Sequence, residues 1–242
     1  MLAGLKAILR RIAGKNLLRF YRGWVRGFMV TPQKSFSQKG EDLIISNFFG
    51  DRAMGYYMDI GCFHPKQISN TYLFHLAGWH GLAVDVDAYK ADLFKKVRRG
   101  RCGSKAAAVV GACAPGSTAN VYRFGDEAGW SDIDTLDYES AVWQRDEKNA
   151  GDFRTETVEV IGINDLLSTS PKVNFLNIDV EGMDTEILEA IDLDRFDIDV
   201  ILFEDNLNWG GSDAIKSKLQ RHGYQLLFVS VGSVCYCKPP TA

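Results

Sequence analysis

Acidic residues stand at the ends of several short apolar runs, where buried strands would reach the surface. The set comprises Asp59, Asp85, Asp87, Asp179, Glu181, Glu204 and Asp205, with Gly61 close to the first of them. Because open parallel sheets bind ligands beyond the carboxyl ends of their strands, these side chains are predicted to meet at one edge of a sheet. Carboxylates gathered at such an edge can bind hydroxyl groups, remove protons or hold a cation.

The loop after the first apolar run has the sequence GCFHP at 61–65, with one glycine followed by bulkier residues. A dinucleotide site needs several glycines and bare backbone N–H groups, so that the pyrophosphate can approach the backbone. This loop therefore favours a nucleoside without phosphates, and we predict S-adenosylmethionine. Asp85 follows Gly61 by 24 residues, a spacing that suits an acid binding both ribose hydroxyls. The predicted cofactor-binding residues are Asp59, Gly61, Asp85 and Asp87, with Asn70 and Thr71 orienting the methionyl carboxylate.

If the site activates a hydroxyl group, a base must remove its proton, and three residues are candidates. His64 has a suitable intrinsic pKa, although a histidine that shapes the turn before Pro65 is an equally supported interpretation. Asp179 and Glu181 are the other two, and the alternative for them is acids that complement the dipole of a helix N-terminus.

A magnesium ion is a second way of activating a hydroxyl, because it lowers the pKa of the group it binds. Asp179, Glu204 and Asp205 are predicted to end neighbouring strands and would provide the oxygen ligands that Mg²⁺ prefers. The simpler interpretation of Glu204 and Asp205 is that they bind acceptor hydroxyls or cap the helix that begins near Gly211.

Strand and helix patterns alternate from residue 38 onward, which predicts a parallel sheet covered by helices on both faces. The predicted strands lie at 56–60, 82–86, 106–110, 157–161, 173–178 and 200–203. Residues 225–229 and 234–237 form a predicted antiparallel hairpin. A mostly parallel seven-stranded sheet that ends in such a hairpin is the layout of the Rossmann-like class I methyltransferase fold. Residues 115–151 are predicted to be an irregular insertion or lid.

The composition suits one globular domain of 242 residues, with 46% hydrophobic and 24% charged residues. Five cysteines without regular spacing favour a reducing compartment, so the predicted location is the cytoplasm. No apolar run approaches the roughly 18 to 20 residues of a membrane-spanning helix.

The first 40 residues carry nine basic residues and no acid, whereas the remaining 202 carry 19 bases and 31 acids. Apolar residues recur at helical spacing in this segment, opposite a basic face. We therefore divide the chain into a basic amphipathic segment, 1–36, and a domain, 37–242. Residues 1–30 would lie on the inner face of an anionic membrane, or would pack on the domain or on a second copy in a homo-oligomer. Nucleic acid is not a predicted partner, because the domain is acidic and has no basic stripe with interleaved aromatic residues.

Three stretches resemble one known family: SQKGEDLIISNFF at 37–49, MDIGCFHPKQISNTYLFHLAGWHGLAVDVD at 58–87 and VNFLNIDVEGMDTEIL at 173–188. They are similar to the FkbM family of S-adenosylmethionine-dependent methyltransferases. The resemblance implies O-methylation of a sugar hydroxyl in a bacterial glycan or glycolipid, with Asp59 and Gly61 in the cofactor loop and Asp85 as the ribose acid. Family members often have Glu-Pro where this chain has Asp85-Val86.

Two other functions remain open from the sequence. An oxidoreductase would use a dinucleotide, and the shortage of glycine after Gly61 argues against it. A catalytically inactive methyltransferase-fold module would serve binding or membrane-surface assembly through its basic segment.

Deletion of residues 1–30 tests the membrane interpretation of the basic segment. We expect the shortened protein to be released from anionic liposomes, because each basic residue near the surface adds about 1 kcal/mol of attraction. Cosedimentation with liposomes measures this, and neutral liposomes are the control. Unchanged partition would favour packing of the segment on protein.

Overall fold

The computed structural model describes residues 35–125, 131–205 and 212–239. The predicted basic segment, 1–36, lies almost entirely outside the described residues, and its role stays a prediction. Within the described part of the chain, no helix has the length and apolar character needed to cross a membrane.

Seven strands form the main sheet in the order β3-β2-β1-β7-β8-β10-β9. Their bounds are β1 Tyr56–Ile60, β2 His80–Asp85, β3 Cys102–Ala106, β7 Phe175–Ile178, β8 Val200–Glu204, β9 Gln225–Val229 and β10 Ser233–Cys237. Neighbouring strands are parallel except at β10, which runs antiparallel to both β8 and β9. This arrangement confirms the predicted fold class. The chain crosses from one half of the sheet to the other between β1 and β7, so ligands are expected beyond the carboxyl ends of these strands.

Helices cover both faces of this sheet. They are α1 Glu41–Phe49, α2 Tyr72–Leu76, α3 Ala88–Val97, α4 Tyr138–Asp146, α5 Ile163–Ser168, α6 Asp184–Ala190 and α7 Asp213–Arg221. Side chains of α5, α6 and α7 pack with Met58 and Ile60 in one apolar core. Side chains of α1, α2 and α3 pack with Tyr57 in a second core on the opposite face. Alternation along β1 therefore places Asp59 on the side of α2 and α3.

A second, three-stranded sheet in the order β4-β6-β5 was not predicted. Its strands are β4 Ala108–Val110, β5 Thr118–Phe124 and β6 Phe153–Gly162. The prediction of one strand at 106–110 is wrong, because Ala107 separates β3 from β4 and the two strands belong to different sheets. The prediction that 115–151 is irregular is also wrong, since it contains β5 and α4.

Arg123 explains why the pattern of β5 misled the sequence analysis. Its side chain is buried and paired with Asp87, with Asp134 at 3.2 Å and with Glu156 at 3.2 Å. A buried arginine breaks the alternation of apolar and polar residues by which a strand is recognised. The same ion pairs attach β5 to the start of α3, next to the carboxyl end of β2.

Trp79 fills the centre of the core under α1 and α2. It is 1% exposed, its ring centroid lies 4.8 Å from that of Phe49 and 5.0 Å from that of Phe74, and its Nε1 donates to the carbonyl of Arg52 at 3.3 Å. The ring also occupies the space in front of Gly55, where an added Cβ would lie 2.5 Å from it.

Replacement of Trp79 by alanine is expected to lower the free energy of unfolding by about 3–5 kcal/mol, because it leaves a large cavity in a close-packed core. Urea denaturation measures this change. Trp143→Ala is the matched control, since Trp143 is 48% exposed and its loss should cost less than about 1 kcal/mol. Equal losses in the two variants would contradict the assigned packing.

Candidate functional site

Three adjoining clefts lie beyond the carboxyl ends of the main-sheet strands. The β2 cleft has a volume of about 530 Å³ and is lined by Gly61, Phe63, Asp85 and Lys90. The β1 cleft, about 770 Å³, shares Gly61 and Phe63 and continues past Asn70. The α4 cleft, about 1170 Å³, lies beside the helix of the insertion. Asp179 lines the first two clefts, and Glu181 lines all three.

Gly61 is placed where only glycine fits. Its φ is 74°, and an added Cβ would lie 1.6 Å from the carbonyl oxygen of Asp179. The backbone N–H groups of Gly61 and Cys62 donate to the carbonyl of Val84 at 2.9 and 3.2 Å, and that of Phe63 donates to Asp85 Oδ2 at 3.1 Å. Since these three N–H groups bond within the protein, they are not bare donors for a pyrophosphate. This geometry agrees with the interpretation of the loop from its sequence.

Asp85 ends β2 and is 5% exposed. Its Oδ1 accepts from the N–H of Asp87 at 2.8 Å and lies 3.7 Å from Lys90 Nζ. Burial raises the pKa of Asp85, and Lys90 opposes that rise. The carboxylate is therefore held in a fixed orientation at the wall of the β2 cleft, as a ribose-binding acid requires.

Asp87 is used within the protein. Its Oδ1 caps α3 by accepting from the N–H groups of Tyr89 and Lys90 at 2.7 and 3.4 Å, and its Oδ2 pairs with Arg123. The structure thus gives Asp87 a structural task, and its predicted contact with the cofactor stays a prediction.

His64 is 1% exposed. Its Nδ1 accepts from the backbone N–H groups of Lys66 and Gln67 at 3.1 and 2.9 Å. Of the two interpretations left open by the sequence, this geometry favours the histidine that shapes the turn. Its role as a base stays a prediction.

Thr71 is fully buried, whereas Asp59 is largely buried but lines the β1 cleft. Asp59 accepts from the hydroxyl of Thr71 and from Asn177 Nδ2 at 2.9 Å, and Asn177 Oδ1 in turn accepts from Asn70 Nδ2 at 3.0 Å. Thr71 Oγ1 also accepts from Arg98 at 2.8 Å. Asn70 therefore reaches the cleft directly, whereas Thr71 acts through its neighbours.

Arg98 and Asn177 were not among the predicted site residues. Arg98 follows the charged end of α3 and looks like a solvated residue, yet it is 0% exposed. One signal was available, because Ala91, Phe94 and Arg98 share the helical spacing of a buried stripe. Asn177 lies inside β7, one residue before the strand ends.

Three carboxylates meet where the clefts join. Asp179, Glu181 and Glu204 can each bring one oxygen within 4.8 Å of the others. Glu181 has a φ of 55° and is followed by Gly182 with a φ of 112°, so the chain turns sharply here and directs Glu181 toward this point. The predicted set contained Asp205 in place of Glu181. Among the described residues, the cluster has Glu181 as its third member.

Repulsion among these acids shifts their titration. Burial, followed by the charge of Glu204, raises the pKa of Glu181 to about 8 and that of buried Asp184 to about 7. Enclosure raises the pKa of Asp179 well above its ordinary value, and the charges of Glu204, Asp184 and Glu181 add to the shift. The side chain of Asp179 is in contact with the water of the clefts. We therefore attribute the rise in its pKa to repulsion by the neighbouring carboxylates more than to burial. Glu181 and Asp184 can therefore bind and release protons near neutral pH.

The insertion contacts this cluster from the side of α4. Gln144 Nε2 donates to Glu181 Oε2 at 3.4 Å, and the Thr135 hydroxyl donates to the carbonyl of Glu181. Ser140 and Trp143 line the α4 cleft opposite Glu204. The insertion therefore forms one wall of the space next to the acids.

Comparison with solved structures finds proteins with a similar backbone fold. A TehB-like SAM-dependent methyltransferase from Corynebacterium glutamicum is 11% identical, with a TM-score of 0.43 and coverage of 90% of this chain and 96% of that chain. A precorrin-6y C5,15-methyltransferase from Geobacter metallireducens is 13% identical, with a TM-score of 0.39 and coverage of 86% and 94%. The fold assignment rests on the strand order rather than on these two likenesses. The comparison with curated proteins found no match.

The family model described as "Methyltransferase FkbM domain" matches residues 59–226, which is more than half of the chain. The match begins at Asp59, at the end of β1, and extends through the cluster of acids into β9. The chain belongs to the FkbM methyltransferase domain family.

Proposed function

We propose that this protein is an S-adenosylmethionine-dependent O-methyltransferase that acts on a sugar hydroxyl of a bacterial glycan or glycolipid. The observation that carries the proposal is the position of Glu181. It lines the two clefts around Gly61 and also the α4 cleft, so a carboxylate stands where a cofactor and an acceptor would meet.

The charge of the clefts supports a cationic nucleoside. Among the described residues, the β2 cleft is lined by five acids and one lysine, namely Asp85, Asp132, Asp134, Asp179, Glu181 and Lys90. Such a wall repels a pyrophosphate and attracts a cation, because opposite charges across a cleft favour binding. When bound, S-adenosylmethionine supplies an electrophilic methyl group on a positively charged sulfur. The Asp85 carboxylate would hold the ribose, and Asn70 would hold the methionyl end in the β1 cleft.

Asp179 and Glu181 are the proposed bases. A hydroxyl oxygen attacks a methyl carbon more readily when a nearby group accepts its proton, and a base works best when its pKa is close to the working pH. Their raised pKa values bring both carboxylates toward that range. The clefts also hold the acceptor against the methyl group, and this orientation supplies much of the rate.

Magnesium remains a proposal within the same site. Asp179, Glu181 and Glu204 offer the oxygen ligands that a hard divalent cation prefers. A cation held there would lower the pKa of an acceptor hydroxyl and would relieve the repulsion among the carboxylates.

The α4 cleft supports a polyhydroxylated acceptor. Trp143 is 48% exposed and presents an aromatic side chain, while Ser140, Gln144 and the acids of the cleft offer hydrogen-bonding atoms. Carboxylates accept hydrogen bonds from sugar hydroxyls, and flat apolar rings pack against the C–H faces of sugars.

Two aspartate variants separate cofactor binding from turnover. Asp85→Ala is expected to abolish binding of S-adenosylmethionine in calorimetry, because it removes the acid that holds the ribose. Asp179→Asn keeps the shape of the site but cannot accept a proton. It should bind the cofactor and lose turnover by about a hundredfold or more, measured as transfer of a labelled methyl group to bacterial cell-surface glycan.

Asp92→Ala is the control for the first variant, since Asp92 is exposed on α3 and pairs only with Lys96 among the bonds the structure gives it. Wild-type affinity in Asp85→Ala would remove the cofactor assignment. Retained turnover in Asp179→Asn would show that Asp179 is neither the base nor a metal ligand.

The acids also predict how stability depends on pH. The folded-state pKa values of Glu181 and Asp184, about 8 and about 7, exceed their ordinary values of 4.5 and 3.8. The folded state therefore binds more protons than the unfolded state between these limits. The contribution of these two acids to the free energy of unfolding is fully present below about pH 4 and is lost as the pH rises toward 8.

Glu204→Gln removes the charge that repels both acids, so its melting temperature should fall less than that of the wild type between pH 5 and 8. Scanning calorimetry in EDTA measures this, and Glu189→Gln on α6 is the control. If magnesium binds the cluster, adding it at pH 8 should raise the melting temperature of the wild type but not of Glu204→Gln. Parallel pH curves for the wild type and Glu204→Gln would contradict the proposed repulsion.

A further inference from the structure

A chain of hydrogen-bonded side chains runs from the core to the β1 cleft. It consists of Arg98, Thr71, Asp59, Asn177 and Asn70, and we call it the Arg98–Asn70 chain. The first four members are buried, with exposed fractions of 0 to 4%. The last member, Asn70, is partly exposed, and it lines the β1 cleft together with Asp59 and Asn177.

Arg98 anchors the loop that carries this chain. Its Nε and one terminal nitrogen donate to the carbonyl of Pro65 at 3.0 and 2.9 Å, and the same terminal nitrogen donates to Ser69 Oγ at 2.8 Å. The other terminal nitrogen donates to Thr71 Oγ1 at 2.8 Å and to Tyr57 Oη at 3.1 Å. A planar guanidinium can make these bonds in several directions at once, whereas a lysine ammonium cannot match their geometry.

The donors and acceptors of the chain fix the orientation of its amides. An ionised carboxylate only accepts, so Asn177 must turn its amide nitrogen toward Asp59 and its oxygen toward Asn70. Asn70 must then turn its own nitrogen toward Asn177. Its carbonyl oxygen is then the acceptor of that amide left for a ligand, beside the second hydrogen of Nδ2.

An ionised Asp59 is consistent with this assignment of donors and acceptors. Burial raises the pKa of Asp59, while the Arg98 guanidinium and the bonds from Thr71 and Asn177 oppose that rise. Thr71 Oγ1 accepts from Arg98, so its own hydrogen is available for the Asp59 carboxylate.

We propose that Arg98 is a positioning residue for cofactor binding, because it holds the Arg98–Asn70 chain in the order that presents the Asn70 carbonyl oxygen to the ammonium group of the methionyl end. This inference rests on the proposed function. It differs from the sequence prediction for Asn70, in which that residue orients the methionyl carboxylate. Arg98 itself touches no cofactor.

Two nucleosides test the inference by calorimetry. S-adenosylhomocysteine carries the amino acid end, whereas 5′-methylthioadenosine has the same adenosine and sulfur but lacks that end. Asn177→Ala cuts the chain between Asp59 and Asn70, and Arg98→Lys weakens its anchor. In both variants the affinity for S-adenosylhomocysteine should fall about tenfold or more, while the affinity for 5′-methylthioadenosine should change less than about twofold.

Arg101→Lys is the matched control, because Arg101 is exposed and bonds the carbonyl of His75 outside the chain. It should bind both nucleosides as the wild type does. If Arg98→Lys does not fold, Thr71→Val decides in its place, since Thr71 is fully buried, lines none of the clefts and joins Arg98 to Asp59.

The outcomes separate the two proposals. If the wild type binds neither nucleoside, the proposed function fails. If the wild type binds both and the variants lose affinity for both equally, the loss reflects general damage to the loop and the positioning role of Arg98 is overturned. Unchanged affinity for S-adenosylhomocysteine in Asn177→Ala would also overturn it.

Discussion

The enclosure of one positive charge constrains the rest of the site. The Arg98 guanidinium has no contact with solvent, and an unpaired buried charge costs several kcal/mol after relaxation. The fold meets this requirement by bending residues 65–71 around the guanidinium, so that carbonyl and hydroxyl oxygens face it. The left-handed residues Gly61 and Phe63 turn the chain into this bend. The shape of the loop from Gly61 to Thr71 therefore follows from the position of an arginine that caps the end of α3.

The opposite constraint acts at the carboxyl edge, where negative charges accumulate. Asp179, Glu181 and Glu204 repel one another, and the pKa shifts show that the folded state tolerates this charge poorly. Functional sites often retain such unfavourable arrangements because the chemistry requires them. On the side of β5, Arg123 neutralises Asp87 and Asp134, and this pairing leaves the unbalanced charge concentrated near β7 and β8. A cationic cofactor or a divalent cation would reduce the repulsion among these carboxylates.

Elements that are built from apolar runs can be predicted from the sequence. The prediction fails where the structure depends on buried polar side chains. The seven-stranded sheet, the loop at Gly61 and the place of Asp85 could be predicted, since continuous apolar strands and a glycine turn leave clear patterns. The second sheet could not, because Arg123 interrupts the pattern of β5. Asp205 was predicted as the third member of the acid cluster because a strand ends next to it, yet the backbone turn at Glu181 brings Glu181 to that position instead.

The insertion contacts the acid cluster, which would link acceptor recognition to the proposed chemistry. Gln144 and Thr135 bond to Glu181, so the segment that forms a wall of the α4 cleft also fixes the orientation of a proposed base. A change in the insertion would then alter both which acceptor fits and how well its proton is removed. Arg98 holds the loop beside the β1 cleft through a separate set of bonds that includes Thr71 and Asp59. The two sides are nevertheless joined, because Asp132 of the insertion lines both the β1 and the β2 cleft, and Asp134 and Thr135 line the β2 cleft. A change in the insertion would therefore also reach the proposed cofactor clefts.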